Sequence, residues 1–354
     1  MPMNKRSIPL VMCLFALIMS GCSLPFGLGA IPYQGVIVTA NPLAGPTATA
    51  FVPIPPTATP PPTEAATATP PATATPEYPW GSFAAPVEPS AIDIPRSAPE
   101  IAFAQGVVNI ILLGSDQRPN EGGHRTDTMM VVSLNPSAGT ATLLSIPRDL
   151  YVYIPGWRVD RINVADVQGG PEMVAQTILY NFGIRIDYWA RVNFYGFVRA
   201  IDILGGIEVQ ITGFLADNCN HTEYTYYAGT TRYMDGTLAL CYVRNRRETG
   251  DIDRLRRQQE VIRAIFSRVV SLDGLARVPD LYGQFSSIVE TNMGLEDMLP
   301  LIPLATGLAG NPSGIHQSVI DTSMASLWRV PYSGASVLLP DWDSIRAMLR
   351  TAFG

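Results

Sequence analysis

The sequence predicts an α/β domain, a central mixed sheet flanked by helices on both faces, carried on a disordered stalk. Three observations predict it. Short apolar runs closed by Gly or Pro recur through residues 97–354, and longer segments of helical spacing stand between them. No second linker interrupts that alternation, which suits one substantial core. Ahead of it, residues 41–79 are mostly Thr, Ala and Pro, with too little bulky apolar surface to offset the entropy of ordering them.

The chain opens on Lys5 and Arg6, followed by an apolar run from Ile8 to Met19 and then Ser20-Gly21-Cys22. A run of this length suits a signal-peptide core and is short for the ~30 Å of a bilayer interior. Residues 1–21 therefore read as a lipoprotein signal peptide, with Cys22 as the lipidated first residue after cleavage. An uncleaved signal anchor is the alternative, and both place the rest of the chain outside the cytoplasm. Residues 22–96 read as the lipidated start and Pro/Thr/Ala-rich linker, which favours extended polyproline-like conformations. Residues 97–270 form the principal domain, and 271–354 a C-terminal extension packed on it.

Within the domain, Val107 to Leu113 is an apolar run stopped by Gly114, as expected of a strand buried on both faces. Met129 to Leu134 and Ala141 to Ile146 flank Asn135-Pro136-Ser137-Ala138-Gly139-Thr140 and predict a hairpin. Leu150 to Ile154 is a further short strand. Gly169-Gly170 followed by Pro171-Glu172 predicts a helix start, with proline in the first turn and a carboxylate at the positive dipole end, running to about Phe182. Tyr188 to Phe194 reads as a strand, Gly196 to Leu204 as a helix closed by Gly205-Gly206, and Ile207 to Ile211 as a strand. Leu255, Ile262, Phe266 and Val269 share a helical stripe, and helices are expected near 296–308 and 343–353.

The net charge of −6 argues against a nucleic-acid surface. Of the 24 lysines and arginines, only Lys5 is a lysine, so every fixed cation of the domain is a guanidinium. Cys13 leaves with the signal peptide, which leaves Cys219 and Cys241 in the folded part. In an oxidising compartment these favour one disulfide, whose loop of about twenty residues is worth roughly 3 kcal/mol. Two unrelated buried thiols are the alternative. Neither CxxC spacing nor a His cluster accompanies them, so zinc is not expected.

Three stretches put charge beside buried strands. Asp116 ends the first apolar strand and Asp127 opens the next, with Ser115, Thr126 and Thr128 beside them. Pairing of those strands would assemble an oxygen-ligand site for Mg²⁺. Alternatively the two carboxylates cap turns and pair with Arg118 and Arg125. The second stretch is Pro147-Arg148-Asp149, leading to Asp160-Arg161-Ile162-Asn163. The third holds Arg244 and Arg246, which point the same way if their segment is extended, and then Arg254, Arg257 and Gln258 at helical i, i+3 and i+4. Converging guanidiniums suit pyrophosphate; a solvated face paired with Glu248, Asp251 and Asp253 is the other reading.

Taken in order, GSDQR, RTDTMM, SIPRD, RIN, GGPE, VNFYGF, DILGG, YVRNR and DRLRRQQ resemble the LytR-CpsA-Psr family from about Val107 to Ile265. The resemblance implies an α/β domain at the outer face of the cytoplasmic membrane, where a glycan phosphate passes from a polyprenyl-pyrophosphate carrier to a peptidoglycan hydroxyl. It implies that Asp116 and Asp127 hold Mg²⁺ (or Mn²⁺) as cofactor. Arg148, Arg244, Arg246, Arg254 and Gln258 would clamp the pyrophosphate, with Arg118, Arg125, Arg161 and Arg257 in support. Asp127 and Asp149 are the candidates for the base. The family also houses the prenyl chain in an apolar tunnel and commonly has an amino-terminal transmembrane helix, where this chain has a lipobox-like start. Arg161 stands where Lys is more usual, and 214–231 and the part after Leu272 align weakly. Two other functions remain open: a lipid pyrophosphatase with water as acceptor, and a binder of polyprenyl pyrophosphates without turnover. A transcriptional role has no helix-turn-helix pattern behind it.

Overall fold

The computed structural model describes residues 81–117, 125–245, 250–271 and 278–353. The signal segment, Cys22, the stalk to residue 80, Arg118 and Arg246 lie outside the described residues. Three strands, β1 (Val108–Ser115), β2 (Thr126–Asn135) and β3 (Thr140–Ile146), form an antiparallel meander. Its hairpin is the expected one: Asn135 pairs with Thr140, and Gly139 takes a φ of 67°. A small hairpin, β4 (Tyr151–Tyr153) and β5 (Val159–Arg161), leads into helix α1 (Val164–Phe182), and β6 (Tyr188–Asn193) returns parallel to β1. Helix α2 (Phe194–Ile203) and β7 (Ile207–Gln210) follow, then the hairpin of β8 (Leu215–Cys219) and β9 (Thr222–Tyr226). Next come β10 (Thr231–Met234), α3 (Gly236–Arg244) and the long helix α4 (Gly250–Ser271). The extension supplies α5 (Val278–Phe285), β11 (Glu290–Thr291), α6 (Leu295–Met298), α7 (Ile302–Gly310) and β12 (Ile315–Val319). It ends with β13 (Ala325–Arg329), β14 (Ser336–Pro340) and α8 (Trp342–Phe353).

The main sheet has six strands in the order β11-β6-β1-β2-β3-β12, with parallel and antiparallel neighbours. Residues after 271 thus supply both of its edges, so the extension is integral to the fold. On one face, Ile111, Leu113, Met129 and Val131 pack with Val174 and Ile178 of α1 and with Ile345 and Leu349 of α8. A second core, built on Ile201, Val209, Tyr242 and Val261, joins α2, α3 and α4 to β7–β10. The backbone of α1 leaves helical geometry at Gly169 and Gly170 (φ −155° and 70°) and resumes at Pro171, the predicted start. It ends at Gly183, φ 70°, where a Cβ would lie 2.1 Å from the Pro99 carbonyl oxygen. Among the described residues no helix is long and apolar enough to cross a membrane.

The boundary expected at residue 97 falls too late. Phe83, Ile92 and Ile94 pack on a core of Tyr151, Tyr153 and Tyr180, and the Tyr180 hydroxyl donates to the Pro95 carbonyl at 2.7 Å. Val87 and Glu88 donate backbone hydrogen bonds to the Trp157 carbonyl. This strap has single apolar residues among prolines, so it carries no helical or strand period for sequence reasoning to detect.

Candidate functional site

The site begins with an irregularity in the β1–β2 ladder. Gly114 pairs with Thr128 and Ser115 with Thr126, so Asp127 is the extra residue of a bulge. A bulge reverses the alternation of side chains beyond it. Thr126 consequently turns toward α1, where its hydroxyl donates to Asp166 at 2.5 Å, while Asp127 lines a cavity. Gly114 fits the close approach, since a Cβ there would meet Thr128 Cβ at 2.9 Å. Asp166 is wholly buried and also takes the Arg191 guanidinium at 3.0 Å, and Arg191 pairs in turn with Glu290 at 2.5 Å. Burial works against the Arg191 charge, yet its bond to Glu290 and the field of Asp166 hold its pKa above the usual arginine value.

The cavity, about 870 Å³, lies between the sheet and helices α2, α3 and α4. Its walls have two characters. Asp127, Arg148, Arg244, Arg254 and Gln258 form a polar end, and Leu112, Phe197, Leu240, Val261 and Ile265 an apolar remainder. Arg148, placed just past β3, sets its guanidinium 2.5 Å from Asp127 Oδ1 and 3.4 Å from Asp149. Desolvation opposes its charge, but the hydrogen bond and fields of Asp127 and Asp149 raise its pKa. Arg254, only 2 % exposed, reaches from the first turns of α4 to the Asp127 carbonyl at 3.3 Å and to Asp251 at 2.8 Å. Its Nε and the Gln258 Oε1 are buried without a hydrogen-bond partner among the described residues.

Arg244 does not lie in an extended segment. It closes helix α3, which Asp235 caps by accepting from the Leu238 amide, and it rests over the Phe194 ring at 4.4 Å. Asn245 continues from it and is held on both sides. Its amide donates to Asp217 Oδ1 of β8 at 2.5 Å, and its carbonyl accepts from Arg257. Cys219 of β8 and Cys241 of α3, 5.8 Å apart at Cα, are joined in the structure, so the β8–β9 hairpin meets α3 at the cavity wall.

Other expected site residues stand apart from the cavity. Arg257 is turned to α3: its Nε donates to the Tyr242 carbonyl at 3.0 Å, and burial lowers its pKa. It is not among the cavity-lining residues, and neither is Arg161, which lies 3.7 Å from Asp149. Asp116 accepts from the Arg125 amide at 2.6 Å, and the Asp116 amide donates back to the Arg125 carbonyl at 3.1 Å. For that oxygen of Asp116, turn capping is what the structure shows; the Arg125 residue itself is exposed. Asp166, Arg191, Asn193, Asn245 and Asp217 were not singled out from sequence. Asp166 follows the RIN motif at the opening of a helix, where a carboxylate reads as an ordinary dipole partner.

Residues 87–351 match the model of the LytR_cpsA_psr family. The chain is 34 % identical over 212 residues to polyisoprenyl-teichoic acid–peptidoglycan teichoic acid transferase TagU of Oceanobacillus iheyensis, a match covering 58 % of this chain and 64 % of that protein. It is 38 % identical over 189 residues to the probable cell wall biosynthesis protein LcpB of Corynebacterium glutamicum, covering 49 % and 44 %. The match thus spans just under two thirds of the length of TagU and less than half of that of LcpB. Among solved structures, B. subtilis TagV superposes with a TM-score of 0.60 at 26 % identity, over 71 % of this chain and 98 % of that one. TagT bound to LI-WTA gives 0.56 at 25 %, over 71 % and 92 %.

Proposed function

The chain belongs to the LytR-CpsA-Psr family, and from that premise we propose that it transfers a glycan phosphate from a polyprenyl-pyrophosphate carrier to a peptidoglycan hydroxyl. One observation carries the reading. A single cavity joins an end rich in guanidiniums to an apolar remainder, which matches a multiply charged anion attached to a long hydrocarbon. Its relative TagU is named a polyisoprenyl-teichoic acid–peptidoglycan teichoic acid transferase, which supports the substrate class.

In this reading the prenyl chain lies against Phe197, Leu240, Val261 and Ile265, and the pyrophosphate meets Arg148, Arg244, Arg254 and Gln258. Asp127 lines the cavity and Asp116 follows the adjoining strand with one oxygen held by the Arg125 amide, so Asp127 and the other oxygen of Asp116 would be the hard donors of a metal site. That donor set fits Mg²⁺, which keeps water and phosphate oxygens in its shell, and would supply charge neutralisation at the phosphoryl oxygens. The acceptor hydroxyl gives its proton to a carboxylate beside Arg148, for which Asp127 and Asp149 are the candidates. Its oxygen attacks the sugar-side phosphorus, and the bond from that phosphorus to the bridging oxygen breaks. The leaving group is the prenyl monophosphate. Arg148, Arg244 and Arg254 stabilise the charge that gathers on it, so positioning and fixed charge do the work without a protein nucleophile. The anchor through Cys22 and the site outside the cytoplasm belong to the same proposal, as does a Cys219–Cys241 disulfide in the exported protein.

The test supplies the full chain, in detergent, with a polyprenyl-pyrophosphate glycan, Mg²⁺ and peptidoglycan fragments. Expected is release of lipid monophosphate together with sugar phosphate on peptidoglycan, lost with EDTA, Asp127→Ala or Arg244→Ala. Release of free sugar phosphate as the only product would replace the transferase with a pyrophosphatase. Tight donor binding without any turnover would make the protein a carrier.

A further inference from the structure

A second concavity of about 470 Å³ opens beside the first, where the start of α2 meets the segment from α5 to β11. Trp189, Tyr195, Tyr282, Ser286, Ser287 and Glu290 are among its lining residues. Asn193 and Val289 line both concavities, so the two are neighbours through shared walls. We propose that this cleft is a saccharide-binding subsite, seating a glycan strand next to the phosphoryl-transfer centre.

Its chemistry separates it from the arginine-rich end. No lysine, arginine or histidine lines it among the described residues, so nothing there is built for a phosphate. The cleft instead combines aromatic rings with uncharged hydrogen-bonding groups, the mixture that suits a neutral, hydroxyl-rich ring with apolar C–H faces. Tyr195, one of its lining residues, is 66 % exposed. Asn193 accepts from the Gly196 amide through Oδ1 at 2.8 Å, which turns its Nδ2 donors to the other side of the amide group. Arg191 donates from Nε and Nη2 to Oε2 of Glu290, at 3.0 and 2.5 Å, so Oε1 remains an acceptor on a half-exposed side chain whose charge is already met. The hydroxyls of Ser286 and Ser287 donate to the carbonyls of Gly283 and Gln284 and keep their lone pairs.

Geometry places the cleft at a useful range. Asn193 is level with Ser115 across the β6–β1 ladder, and Ser115 is level with Thr126 across β1–β2. Two strand spacings, about 10 Å, therefore separate Asn193 from the Asp127 bulge along one end of the sheet. That is a distance of sugar rings rather than of another domain. The wall is firm as well. A Cβ on Gly196 would stand 2.4 Å from the Ile288 carbonyl oxygen, so backbone is packed on backbone where α2 meets the 286–290 segment.

This inference rests on the proposed transfer, since the same saccharide chemistry could come from the donor's glycan or from the acceptor strand. The probe is a β-1,4-linked N-acetylglucosamine tetramer, titrated calorimetrically into the full chain and into Tyr195→Ala and Tyr282→Ala. Wild type is expected to bind it, and each variant to lose about 3- to 10-fold in affinity, with inorganic pyrophosphate bound as before. In the transfer assay the same loss should appear as a raised KM with kcat held. A raised KM for peptidoglycan assigns the cleft to the acceptor; a raised KM for the lipid-linked donor assigns it to the donor glycan. Tetramer binding without any transfer product would sink the proposed reaction and leave the subsite standing. Transfer with no tetramer binding, or with both variants indistinguishable from wild type, overturns the subsite.

Discussion

Replacing Arg257 by Met separates a ligand from a scaffold. Arg257 is 5 % exposed and donates to the carbonyls of Tyr242 and Asn245, at the end of α3, where carbonyls lack helical partners of their own. A hydrogen bond from a charged donor contributes about 1.5–3 kcal/mol net. Two such bonds are lost, and the guanidinium's desolvation cost is recovered in part, while Met fills much of the volume. A net destabilisation of about 2 kcal/mol follows, which in a domain of this size lowers Tm by about 4–8 °C. Scanning calorimetry measures that, and a pyrophosphate titration runs beside it. Because Arg244 closes the same helix, affinity should fall as well, but as a companion of the lowered Tm. A variant with wild-type Tm that has lost pyrophosphate affinity tenfold or more would refute the scaffold role and make Arg257 a direct ligand.

Asp166→Asn takes the charge from a fully buried carboxylate that holds Thr126 and Arg191, and should cost about 3 kcal/mol; an unmoved urea midpoint would contradict it. Gln258→Glu puts a carboxylate where a buried amide oxygen faces the polar end of the cavity, and pyrophosphate affinity should drop at least about tenfold at unchanged Tm; equal affinity would remove Gln258 from the anion site. Alkaline stability should also decline in a defined way. Burial pushes the Tyr226 hydroxyl up to about 12, and burial with the Glu260 hydrogen bond raises Tyr242 further. The native state then keeps protons that the unfolded chain gives up above about pH 10. Stability is therefore full below about pH 10 and falls as pH rises toward the native values, by about 1.4 kcal/mol per pH unit for each tyrosine. Urea midpoints at about pH 9 and about pH 11 check this, and a flat profile would deny it.

Much of the fold was legible because Gly and Pro punctuate it: the hairpin at 135–140, the restart of α1 at Pro171 and its stop at Gly183 all carry local signals. The site was legible as residue types, less so as geometry. The bulge at Asp127 is a matter of register between strands, which no single strand encodes. Arg254, Arg257 and Gln258 share a face only loosely. At 100° per residue, Arg257 and Gln258 fall on opposite sides of Arg254, about 100° apart. A helix buried on both flanks sends Arg254 and Gln258 to the cavity and Arg257 to α3. Tyr242-Val243-Arg244 continues a helix begun at Gly236, which its mixture of residues does not reveal. The Asp166–Arg191 pair joins an early helix to a later strand, and the strap at 83–95 packs through isolated side chains; both are tertiary facts.

The apolar lining of the large cavity has a kinetic meaning. In the proposed reaction the hydrocarbon touches the same wall before, during and after the phosphorus–oxygen bond breaks. Contacts of that kind hold substrate, transition state and product equally, and so add nothing to the chemical rate. They act instead on residence. Each buried methylene is worth about 0.8 kcal/mol, so a handful multiplies the lifetime of the bound lipid monophosphate by orders of magnitude. Spent carrier would then leave more slowly than the phosphoryl group moves, and a first turnover would appear as a burst ahead of a slower steady state.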